Sequence, residues 1–158
     1  MTVTGAEYEF GKNKVNDTHY DWKEISGNRF RIIYPDTLRQ RAIDVAAPLD
    51  EIRVARGVYT GTAGAVADVD KTVALLGGWD EGFTARDPAL NTTILDAQGA
   101  RRVIYINGSF SPTVDGFTIT GGNATSATDY AAYGGGIHSR DADPIITNNV
   151  ITGNVASN

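Results

Sequence analysis

The chain has 158 residues, enough for one domain with a modest core, and its 14 Lys and Arg against 19 Asp and Glu leave a net charge of −5. The basic residues are scattered and form no run, which disfavours a nucleic-acid or anionic-membrane partner, and the absence of cysteine excludes disulfides and thiolate metal sites. No apolar run nears the ~18–20 residues of a membrane span, and the first ten residues show no basic stretch leading into an apolar one, so no signal peptide is visible.

Residues 1–34 hold apolar content without a clean period, and a short strand is expected within Arg29–Tyr34. Asp36 follows Pro35 and suits a helix N-cap. Leu38, Ala42, Val45 and Leu49 then recur at helical spacing, and Pro48 ends the pattern. From Asp50 onward the chain reads as short strands closed by turn residues: Glu51–Ala55 before Gly57, Lys71–Leu76 before Gly77-Gly78, Thr92–Leu95 before Asp96, and Arg102–Ile106 before Asn107-Gly108. No helical pattern separates them, which excludes a doubly wound α/β fold.

An internal repeat decides the architecture. Pro112–Ala124 lines up with Pro144–Ala156 at an offset of 32 residues, matching the proline, the Ile-Thr-Gly step and the final alanine. The offset exceeds one ordinary coil, so Thr125–Tyr133 is expected to be a loop inserted at a turn. Val114, Phe117 and Ile119 are expected to face inward and to stack on their equivalents one coil on. Asn149 takes the place of Phe117, where an inward amide can bond along the stack. Gly116 aligns with Asn148, and both residue types tolerate left-handed backbone at a bend.

These residues, with Ala42–Ala46 leading into Asp50–Ala55, Gly57-Val58-Tyr59, Leu75–Trp79, Thr93–Asp96, Asp115–Ala124 and Gly134–Ile137, resemble the right-handed parallel β-helix repeat proteins of bacteria, of secreted or cell-surface type and pectate-lyase-like superfold. The resemblance covers about residues 42–158. It implies an all-β, right-handed parallel β-helix whose N-terminal end is capped by the α-helix, with residues 1–34 a separate segment and 35–158 the capped solenoid, truncated or open at its C-terminal end. It also implies an extracellular or cell-surface location. The chain departs from the pattern at Leu49, which stands where the turn before the first strand usually carries glycine.

Such a fold hosts lyases, hydrolases, adhesins and plain stalks, so function must be argued from residues. Glycosidases use two carboxylates a few ångströms apart. Asp96 and Asp115 are expected to approach one another on neighbouring coils, although Asp is also a routine turn residue. The Asn-Thr-Asp, Asp-Asp and Gly-His-Gly set of polygalacturonase-like enzymes is missing. A β-elimination lyase would draw on Arg101, Arg102 or Arg140. The Asp68/Asp70 and Asp141/Asp143 pairs offer oxygens to calcium but lack the full ligand spacing of a calcium loop, so no cofactor is expected beyond that calcium option.

Aromatic residues are better binding candidates, because their faces stack on sugar rings. Tyr130 and Tyr133 lie in the inserted loop, and Trp79 follows a strand, where it can equally pack with Phe83 beneath the loop after it. Alternation places His138 and Arg140 outward if Ile137 faces in, although a lone surface histidine is ordinarily only that. The site assignment is therefore Tyr130, Tyr133, Trp79, His138 and Arg140 as carbohydrate contacts, with no catalytic residue and no metal ligand assigned.

At ~20 residues per coil, about five coils fit between Asp50 and Asn158, a stack ~24 Å tall, which is short for a groove that holds several sugars. The expected function is a non-catalytic structural or adhesive module contacting polysaccharide. The alternative is a fragment of a polysaccharide lyase or glycoside hydrolase. The open final coil is expected to support self-association.

Overall fold

In the computed structural model the described residues are 23–25, 29–32, 42–44, 46–61, 64–125 and 133–156. The helix expected over Asp36–Ala47 lies mostly outside them, with residues 42–44 helical and Ala42, Ile43 and Ala46 buried in the core. Most of the inserted loop, Tyr130 included, also lies outside them.

Among the described residues, thirteen short strands form three sheets. Sheet A holds β1 (Lys23–Ile25), β2 (Arg29–Ile32), β3 (Glu51–Ala55), β6 (Ala74–Trp79), β9 (Thr113–Asp115) and β12 (Ile145–Thr147). Sheet B holds β4 (Gly57–Tyr59), β7 (Thr93–Asp96), β10 (Phe117–Thr120) and β13 (Val150–Ile151), and sheet C holds β5 (Ala67–Val69), β8 (Ile104–Asn107) and β11 (Ile137–Arg140). Every strand pairing among the described residues is parallel except that of β1 with β2, so the expected strand near Arg29 joins sheet A, and β2 runs alongside β3. The chain visits A, B and C in the same order each time, an all-β arrangement compatible with a β-helix solenoid.

The turns are fewer and longer than the composition suggests. Ala74 pairs with Glu51, Thr113 with Ala74 and Ile145 with Thr113, so successive turns take 23, 39 and 32 residues. From β3 to β13 this makes three full turns and part of a fourth, not five. Part of the excess lies in an excursion after β6, which uses chain without adding height.

The core follows from alternation. Ile52, Leu75 and Val114 form one inward column in sheet A, Tyr59, Leu95 and Ile119 a second in sheet B, and Ala67 and Ile104 a third in sheet C, all buried. Each large aliphatic side chain withdrawn this way contributes ~1.5–3 kcal/mol. Two inward polar side chains are paired. The Thr93 hydroxyl accepts from Gly78 N at 2.8 Å and donates to the Ala55 carbonyl at 3.1 Å. Asn149 Oδ1 accepts from Phe117 N at 2.9 Å, and its Nδ2 donates to the Val114 carbonyl at 2.8 Å. The inward amide therefore ties its coil to the one before it.

The bends use left-handed backbone where the aligned repeats place it: Gly116 has φ 82° and Asn148 φ 51°. Leu49, standing where glycine is usual, is held at φ 75° with its side chain 80 % exposed, so a side chain there is strained and unrewarded by packing. Gly77-Gly78 does not end a strand. It lies inside β6 at a bulge, where the register against β3 slips by one residue. A Cβ on Gly77 would lie 2.6 Å from the Gly116 carbonyl oxygen, and one on Gly78 2.6 Å from Pro88. These glycines let the excursion after β6 lie close over the turn column. Arg86 fastens it there, donating to the Gly77 carbonyl at 2.8 Å and pairing with the Asp115 carboxylate.

Candidate functional site

The outward face of sheet C brings reactive side chains into one column. Asp68 of β5 pairs in register with Tyr105 of β8, and Tyr105 with His138 of β11. Their neighbours Ala67, Ile104 and Ile137 point inward, so alternation turns all three outward. Parallel strands lie ~4.8 Å apart, so a carboxylate, a phenol and an imidazole are stacked like rungs. The Tyr105 and His138 rings sit 5.3 Å apart, tilted by 49°. Arg102, just before β8, lies 5.6 Å from the Tyr105 ring centroid and donates from Nε to the Tyr133 carbonyl at 2.9 Å. The Tyr133 side chain is exposed beside this contact. Arg140 follows His138 on the same face of β11 and pairs with Asp141 at 3.6 Å.

Electrostatics distinguish the two ends of the column. Burial pushes the Asp68 carboxyl above its ordinary 3.8, Asp44 and Asp70 push it further, and the Ala65 amide and Arg102 oppose them. Burial lowers the His138 imidazole below 6.5, assisted by Arg102 and Arg140. Its Nδ1 is buried with no hydrogen-bond partner among the described residues. Because its folded pKa lies below the unfolded one, His138 contributes stability that is present above pH 6.5 and is lost as pH falls through the folded value. Asp68 acts oppositely, adding stability as pH falls toward 3.8, a lower window. Thermal melts between pH 7.5 and 5.5 should therefore show the wild type losing stability, with a shallower slope in His138→Gln. Equal slopes would remove His138 as the cause.

Of the five residues assigned from sequence, His138 and Arg140 lie on this face, Tyr133 reaches it with its backbone carbonyl through Arg102, and Tyr130 lies outside the described residues. Trp79 stands apart in sheet A, where the Arg53 guanidinium covers its ring at 4.1 Å and Phe83, itself buried, packs 6.4 Å away. Its Nε1 is buried without an acceptor among the described residues. Trp79 thus serves the seating of the excursion that follows it.

The expected approach of Asp96 and Asp115 does not occur. Asp115 lies in sheet A opposite Leu76 and Thr147, whereas Asp96 lies in sheet B opposite Thr120, because the turn from β7 to β10 takes 24 residues and Asp115 falls five short of it. Both carboxylates are engaged in holding the fold. Asp115 binds Arg86 and Asn148, and Asp96 accepts from Gln98 N at 2.7 Å. Asp68 and Asp70 share the end of sheet C with Asp44 nearby in charge. Among the described residues, no group of three His, Cys, Asp or Glu is placed to hold a metal ion.

Reading along the chain did not single out Tyr105 or pair Asp68 with it. The three rungs are separated by unequal stretches, and only the register joins them. A search for outward polar residues aligned at corresponding strand positions, rather than at equal spacing, is the signal that finds them. No helix among the described residues is long and apolar enough to cross a membrane. No family model, curated protein or solved structure matches the chain.

Proposed function

We propose that this chain is a module of a right-handed parallel β-helix of the pectate-lyase-like type, extracellular or cell-surface, that holds polysaccharide on the outer face of sheet C without cleaving it. The observation that carries the reading is the Tyr105–His138 ring pair, flanked by Arg102 and the exposed Tyr133. Flat rings offer apolar faces to sugar C–H groups, and planar guanidinium forks donate to hydroxyl or acidic oxygens. A rigid sheet holds both at fixed spacing. The repeated A–B–C order of parallel strands supports the fold assignment. The separation of Asp96 from Asp115 favours binding over a fragment of a lyase or glycoside hydrolase.

Isothermal titration calorimetry against a panel of plant, algal and animal polysaccharides tests this. Tyr105→Ala should weaken the best ligand about tenfold, the ~1.4 kcal/mol of one aromatic anchor, with an unchanged circular dichroism spectrum. Full affinity in that variant, or no binding across the panel, would sink the reading. New reducing ends or unsaturated products would replace it with the enzyme alternative.

A further inference from the structure

The upper half of the sheet C column sets a titratable imidazole beside two guanidinium groups. His138 faces Tyr105 from β8, Arg102 from the segment before β8, and Arg140 from its own strand. Tyr133 approaches through Arg102. Among the described acids, Asp141 is engaged with Arg140, and Asp68 stands beyond Tyr105, two strand spacings or ~9.6 Å from His138. Protonation would therefore set a third cation beside two guanidinium groups, with its nearest in-column carboxylate on the far side of a phenol. The buried Nδ1 has no acceptor among the described residues, so nothing described supports the new charge from within. An anion arriving from outside would do so.

We infer that the glycan held on this face is anionic, bearing carboxylate or sulfate groups, and that mild acidification tightens the grip through protonation of His138 between Arg102 and Arg140. This rests on the polysaccharide-binding reading above. The two effects are reciprocal: the bound anion raises the proton affinity of His138, and the proton raises the affinity for the anion by the same factor. In the unliganded chain the same protonation is unfavourable. The site thus discriminates by pH without any moving part.

The test uses calorimetry with alginate, dextran sulfate and unsubstituted dextran at pH 7.5 and 5.5. Alginate, dextran sulfate or both should bind three- to tenfold more tightly at the lower pH, the scale of one added, partly exposed ion pair, and dextran should show no such gain. In His138→Gln the ratio of the two affinities should fall to about one, whatever its absolute affinity. In the wild type, the His138 imidazole resonance, assigned by comparison with that variant, should titrate at higher pH when saturated with the anionic polymer. A flat pH profile, preference for dextran, or an unmoved imidazole midpoint would overturn this inference and leave the polysaccharide-binding reading standing. Failure of all three polymers to bind at either pH, with the wider panel also negative, would remove both.

Discussion

Ile119→Asp is expected to abolish the folded state, whereas Thr118→Asp, one residue away, should leave a cooperative thermal transition. Ile119 is 0 % exposed and lies in register between Leu95 on one side and Ile151 on the other. Replacing it loses the ~1.5–3 kcal/mol of a buried aliphatic side chain and adds several kcal/mol for a carboxylate with no partner in that column. Together these approach or exceed the ~5–15 kcal/mol that holds a domain of ordinary stability. Thr118 sits on the outer face of the same strand, where a carboxylate keeps its water. Circular dichroism melts of both variants check the claim. Equal tolerance of the two changes would contradict the inward and outward assignment of β10.

That assignment was legible in the sequence because the two repeat copies keep one offset along their length. Thr113 pairs with Ile145, Val114 with Ile146 and Ile119 with Ile151, so aligning the copies is the same operation as stacking the coils. Gly116 and Asn148 shared a column, and both bend through left-handed backbone. Ile151 is 51 % exposed where Ile119 is fully covered.

What stayed hidden has a common cause. Excursions of unequal length separate the turns, so sequence distance stops measuring height along the stack. This turned an expected five coils into three and a part. It also concealed the candidate site, since Asp68, Tyr105 and His138 are joined by register alone. The strand β5 (Ala67–Val69), only three residues long, offers too little alternation to be recognised. Gly77-Gly78 misled for a different reason: a glycine doublet ordinarily marks a turn, and here it marks a bulge pressed beneath Pro88 and against Gly116.

Close approach of backbone to backbone also sets the second large effect. Gly122→Ala should lower the melting temperature by roughly 6–12 °C, corresponding to about 3 kcal/mol in a chain of this size. Gly122 has no left-handed φ to protect, so the effect is one of space. A Cβ there would lie 2.0 Å from the Gly135 carbonyl oxygen and 2.7 Å from Asn154 Oδ1. One turn on, in the equivalent place, Asn154 uses its side chain to reach back: its Oδ1 accepts from Gly122 N at 2.8 Å, and its Nδ2 donates to the Ile119 carbonyl at 2.9 Å. The amide fills the volume that a methyl on Gly122 would claim. Removing it does not make room, because the Gly135 carbonyl is backbone, so Gly122→Ala combined with Asn154→Ala should melt no higher than Gly122→Ala alone. Gly82→Ala is the control, since its nearest neighbour is the Thr84 methyl at 3.5 Å, and it should melt near the wild type. A Gly122→Ala protein as stable as the wild type would mean that the backbones of Gly122 and Gly135 do not approach this closely at the corner between sheets B and C.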